Sequence, residues 1–148
     1  QRGGSVLAQI RYGKKVYSPT VAKHTARVLV TLEQIEALRF ADYLSEDGVC
    51  VANSQAIIPV TVSSGAAKYP QNVKEMLDDV FKKLVFIDAA KIAIECGNIR
   101  AANTVLLGAT SNHLDLPLDC WHKAIEIAVK GKYTDLNKKA FDAGRNFR

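Results

Sequence analysis

The chain has 148 residues, 48% hydrophobic and 24% charged, which excludes disorder, collagen-like repeats and coiled coil and makes one packed domain over residues 1–148 the expectation. A domain of this size buries roughly 70% of the surface its unfolded chain exposes, so it needs no disulfide or metal staple. The net charge of +5 comes from basic residues spread along the chain rather than massed in one block, and the apolar runs are too short to span a bilayer, so neither nucleic acid nor membrane is expected as a partner.

Arg2, Arg11, Lys14 and Lys15 gather near the start, and Lys130, Lys132, Lys138, Lys139, Arg145 and Arg148 near the end. Solvation accounts for them; a phosphate-bearing ligand or an acidic partner subunit is the sharper reading. Cys50, Cys96 and Cys120 lack paired spacing and read as buried thiols, and no leader pattern is visible, so the cytoplasm is the expected compartment. His24, His113 and His122 fall at no zinc-ligand spacing with a cysteine, and without a Cys-rich run this chain cannot hold an iron–sulfur cluster alone.

In chain order, Ser5–Tyr12 alternates at Val6, Ala8, Ile10 and Tyr12, and Gly13-Lys14-Lys15 leads into Val16-Tyr17, a pattern that predicts an antiparallel hairpin stopped by Pro19. Ala26–Leu32 is a valine-rich run suited to a strand covered on both faces. Thr31 and Gln34 stand at capping-box spacing, and Ile35, Leu38, Phe40, Ala41 and Leu44 recur at helical intervals, with Glu46-Asp47-Gly48 as the closing turn. Val49–Asn53 repeats the buried-strand pattern, and Pro59 with Val60–Gly65 reads as a loop or edge strand.

Pro70 precedes an amphipathic helix through Val73, Met76, Leu77, Val80 and Phe81 that Lys82 and Lys83 close. Leu84–Ile87 is the third buried strand, followed by Asp88 at a helix N-cap. Helices are then expected over Ala89–Cys96, Ile99–Ser111, Leu118–Val129 and Asp135–Ala143, divided by Gly97-Asn98, Pro117 and Gly131. The alternation predicts an α/β fold: a three-layer α/β/α sandwich, Rossmann-like, on a mostly parallel but mixed sheet.

No self-sufficient active site is legible. The GxSxG, HExxH, GxxxxGK[ST] and GxGxxG patterns are all missing, and Arg2-Gly3-Gly4-Ser5 is short for a phosphate loop. Asp88 lies at the carboxyl end of a strand, where such sheets place ligands, but capping explains it better. Asn98, Arg100 and Asn103 interrupt a helix otherwise made of alanine, valine and leucine. Either they cap it and bond a neighbouring loop, or they face a ligand or another subunit. Ala101, Ala102, Gly108 and Ala109 let that helix approach a neighbouring backbone closely.

Several blocks then carry a resemblance. Gln1-Arg2-Gly3-Gly4-Ser5-Val6, Ser18-Pro19, Leu32–Arg39, Gly48–Asn53, Gly97–Ala109 and Asn137–Arg145 occur in the order found in the gamma-type domain of 2-oxoacid:ferredoxin oxidoreductases. The chain is most similar to the indolepyruvate branch of that family, and the resemblance spans nearly its whole length. It implies a glycine-rich strand-turn-helix of about forty residues ahead of Gln1, the size of one βαβ unit, so the first such unit is expected to be missing here. It also implies a non-cluster subunit whose large partner carries thiamine diphosphate and iron–sulfur clusters, with coenzyme A as co-substrate and electrons passed to ferredoxin. On that reading Arg2, Gly3, Gly4 and Ser5, and then Asn98, Arg100 and Asn103, are the candidate cofactor-binding residues, and no catalytic or metal-ligating residue is expected. The alternatives are a stand-alone Rossmann-like nucleotide- or coenzyme A-binding module, and a homo-oligomeric structural protein with Asn103 at a self-interface.

Overall fold

A computed structural model describes residues 6–58, 60–65 and 68–147. Three parallel strands, β1 (Ala26–Thr31), β2 (Leu44–Asn53) and β3 (Leu84–Ile87), form a sheet in the order β1-β2-β3. Alternation along the central strand assigns its two faces. Cys50 and Ala52 pack with Leu29 against α1 (Gln34–Arg39) and α3 (Val73–Val80), whereas Val51 and Ile87 pack against α4 (Ala89–Cys96), α5 (Ala102–Ser111) and α7 (Thr134–Arg145). With helices on both faces the strands are buried on both, which is why they read as continuous apolar runs. The three-layer α/β sandwich is therefore the observed fold. A short helix, α2 (Val60–Ser63), lies in the β2–α3 connection, and α6 (Leu118–Ala128) packs on α7, where Trp121 and His122 meet Phe141 with ring centroids 5.8 and 5.7 Å apart.

Four expectations are corrected. The sheet is parallel throughout the described residues, because the expected hairpin forms no strands there. Between residues 6 and 23 no main-chain group bonds another; the chain still reverses, its limbs joined by side chains, with Gln9 Oε1 accepting from Val21 N (2.9 Å) and Arg11 Nη1 donating to the carbonyls of Ser18 and Thr20 (both 3.1 Å). Alternation specifies a strand only where one face is buried, and Val6, Ile10, Tyr12 and Tyr17 are all exposed.

Second, the helix after β1 is one short element, α1, followed by a single 3₁₀ turn over Ala41–Tyr43, and its N-cap is Glu33 rather than Thr31. Thr31 is still paired with Ala52 in the sheet, so the capping-box spacing falls one element too early. Third, Glu46-Asp47-Gly48 is an irregularity inside β2, not a turn. Register runs from Ala26↔Leu44 to Val28↔Val49, so the stretch between Leu44 and Val49 bulges out of the ladder. Gly48 suits this bend, since a Cβ there would lie 2.6 Å from Leu44 Cδ1 and 3.0 Å from the Ala26 carbonyl. Fourth, Val60–Ser63 is helical, and α3 stops at Val80, before the lysines. Lys82 instead pairs with Glu46 at 2.7 Å, and Lys83 donates to the Asp47 carbonyl at 3.1 Å, pinning the bulge. Pro59 lies outside the described residues.

The remaining helices follow their predicted bounds within two residues, except that the one expected from Ile99 opens as a 3₁₀ turn over Ile99–Ala101 and becomes α-helical at Ala102. Asp88 caps α4 as expected, its carboxylate accepting from Lys91 N at 2.9 Å.

Candidate functional site

Ligands of parallel α/β sheets sit outside the carboxyl ends of the strands, here the ends at Thr31, Asn53 and Ile87. Asn53 is 3% exposed and ties these ends together. Its amide donates to the Leu32 carbonyl (3.1 Å) after β1, and its Oδ1 accepts from Ala89 N (3.2 Å) at the start of α4. Beside it Ser54 N donates to the Ile87 carbonyl at 2.9 Å, and Gln34 N to the Gln55 carbonyl at 3.0 Å.

Glu33 does the equivalent work on the other face. Its carboxylate is 6% exposed and accepts from Ile35 N (2.8 Å), Glu36 N (3.1 Å), Ile57 N (3.4 Å) and the Tyr69 hydroxyl, which also accepts from Gln34 Nε2 at 3.1 Å. Burial, and then the bond to Glu33, push the Tyr69 phenol up to about 12. A carboxylate holding four donors is committed to fastening α1, the chain after β2 and Tyr69 to one another, and is not a free base. Glu33, Asn53 and Tyr69 escaped the sequence reading because their partners lie up to 36 residues away; the local signal for Glu33 was an acidic residue between a strand and a helix.

Two shallow depressions follow the outer edge of β3. One, of about 450 Å³, is lined by Ser54, Phe86, Asp88, Lys91, Ile92, Glu95 and Phe147; the other, of about 330 Å³, by Lys74, Leu84, Val85, Phe86 and Phe147. Their charges are mixed, and their lining contains no cysteine, histidine or tyrosine. Among the described residues no group of three His, Cys, Asp or Glu could hold a metal ion. The cysteines are separate thiols, Cys50 buried and pushed up to about 12 by that burial, Cys96 half-buried and Cys120 exposed.

Of the residues read as cofactor-binding, Arg2, Gly3, Gly4 and Ser5 lie outside the described residues. Asn98 is a cap: its Oδ1 accepts from Arg100 N at 2.9 Å and opens the 3₁₀ turn Ile99–Ala101 that runs into α5. Arg100 and Asn103 are exposed rather than buried, and neither side chain bonds a partner among the described residues. Asn103 and Leu107 stand four residues apart in α5, so the amide shares a helix face with an exposed apolar side chain, and Ile99 in the preceding 3₁₀ turn is exposed as well. The buried polar groups of α5 are instead Thr110 and Ser111.

That helix approaches α7 as its small residues predict. A Cβ on Gly108 would meet the Phe141 carbonyl at 2.0 Å, and one on Gly144 the Val105 carbonyl at 1.9 Å. Polar bonds bracket the seam: Thr104 Oγ1 to Asn137 Oδ1 (2.6 Å) at one end, Arg145 Nη1 to Ser111 Oγ (2.7 Å) and Asn112 Nδ2 to the Arg145 carbonyl (2.8 Å) at the other. The packed side of α5 is thus fixed to α7, while Asn103 and Leu107 on α5 and Arg100 in the turn before it are open to solvent.

No helix among the described residues is long and apolar enough to cross a membrane. The sequence model for pyruvate ferredoxin/flavodoxin oxidoreductase matches residues 1–147. The indolepyruvate oxidoreductase subunit IorB of Pyrococcus horikoshii is 40% identical over 97% of this chain and 74% of its own length. The subunit of the same name from Archaeoglobus fulgidus is 35% identical over 99% of this chain and 74% of its own. The pyruvate/ketoisovalerate oxidoreductases common subunit gamma of Pyrococcus abyssi is 27% identical over 95% and 71%. With a family match along nearly its whole length and relatives at 35–40% identity, this chain belongs to the pyruvate ferredoxin/flavodoxin oxidoreductase family as a gamma-type domain.

Proposed function

We propose that this chain is the non-catalytic subunit of a ferredoxin-dependent 2-oxoacid oxidoreductase, a single gamma-type domain over residues 1–148 that completes the site of a large thiamine diphosphate- and iron–sulfur-bearing subunit. The substrate class is an aryl-2-oxoacid such as indolepyruvate. With coenzyme A and oxidised ferredoxin it yields the acyl-coenzyme A, carbon dioxide and reduced ferredoxin. The complex works in the cytoplasm.

The observation that carries this reading is the face of α5. Leu107 exposes apolar surface on the helix that carries exposed Asn103, Ile99 and Arg100 are exposed in the 3₁₀ turn leading into it, and neither the Asn103 amide nor the Arg100 guanidinium bonds a partner among the described residues. An apolar patch holding a few unsatisfied polar groups is the composition of a protein interface. Arg100 and Asn103 also have the donors that coenzyme A phosphates and amides would accept, as do the backbone amides and guanidinium of Arg2-Gly3-Gly4-Ser5.

A stand-alone nucleotide module is disfavoured on electrostatic grounds. Such modules seat phosphate on the N–H groups at a strand-to-helix junction. Here the junctions at Glu33 and Asp88 already give those N–H groups to carboxylates, which would repel phosphate.

The test is reconstitution. The full-length chain alone should give no ferredoxin or viologen reduction with indolepyruvate and coenzyme A; adding the large subunit should restore it, and Asn103→Asp with Ile99→Asp should weaken assembly. Turnover by the chain alone, or tight calorimetric binding of coenzyme A or adenine nucleotides without a partner, would refute the proposal.

A further inference from the structure

We draw no further inference here: the strongest candidate, the pair of shallow depressions along the outer edge of β3 that Phe86 and Phe147 line in common, carries none because nothing in the structure shows what covers that edge.

Discussion

The α5–α7 seam and the arm over residues 6–23 treat backbone in opposite ways. At the seam two helices touch through glycine, so that Gly108 and Gly144 each face a carbonyl of the other helix with no room for a methyl group, and polar bonds close both ends. In the arm no backbone group bonds another among the described residues, and apolar side chains that would serve a core lie open. What separates them is the partner each has within the chain. Small residues allow close approach only if a second element is there to approach, and alternation yields a strand only if a face is there to be buried. The seam has its partner in residues 134–145, while the arm finds none among the described residues.

The largest effect is therefore expected at the seam. Gly144→Ala places a Cβ 1.9 Å from the Val105 carbonyl, and Gly108→Ala one 2.0 Å from that of Phe141. Backbone cannot rotate aside as a side chain can, so the helices must separate. The expected cost is about 3 kcal/mol, lowering the melting temperature by about 10 °C in a domain of this length. A melt indistinguishable from wild type would show that the two helices slide freely and that the contrast with the arm is one of degree.

Next in size is the stitch between strand ends. Asn53→Ala removes the donor to the Leu32 carbonyl and the acceptor for Ala89 N, which is fully buried. Leaving those groups unpaired costs about 2 kcal/mol, readable in denaturant unfolding as a lower midpoint with unchanged slope.

These two sites mark what was legible along the chain. The strands and the helices from Ala89 onward follow from periodicity, prolines, Asp88 and Gly97, all acting within a few residues, and the seam was foreshadowed by Ala101, Ala102, Gly108 and Ala109. What local pattern misplaced depends on distant partners. Thr31 imitates a cap because its pairing with Ala52 lies beyond any local window, and Glu46-Asp47-Gly48 imitates a turn because the bulge is defined only against β1. The candidate site divides likewise. Asn98 was readable as a cap, whereas the exposure of Asn103 on an apolar face depends on which side of α5 meets α7.

Ionisation sharpens the comparison without a mutation. Tyr69 ionises near 12 in the fold against 10 in a free phenol. A group whose folded value is raised contributes stability that is complete below its unfolded value and is lost as pH rises through the folded one. That contribution thus fades between pH 10 and 12. In an absorbance titration at alkaline pH, one of the five tyrosines should ionise late, and Glu33→Gln should bring it earlier by removing the carboxylate that accepts its proton. Thiol chemistry gives a parallel reading. Cys120 should alkylate readily in the native state and Cys50, pushed up to about 12 by burial, only on unfolding.

The smallest expected effect lies in the arm, and its smallness is what the comparison requires. Arg11→Ala deletes both guanidinium bonds between the limbs, to the carbonyls of Ser18 and Thr20. Those carbonyls are open to water, which replaces the lost donors, so the melting temperature of the free chain should stay within about 1 °C of wild type. What should change is the arm alone. With the limbs untied, trypsin should cut at Lys14 and Lys15 several-fold faster than in wild type, while sites in residues 26–147 keep their rate, because cleavage there requires opening of the packed layers. A fall in melting temperature as large as that of Gly144→Ala would mean that the arm carries part of the core.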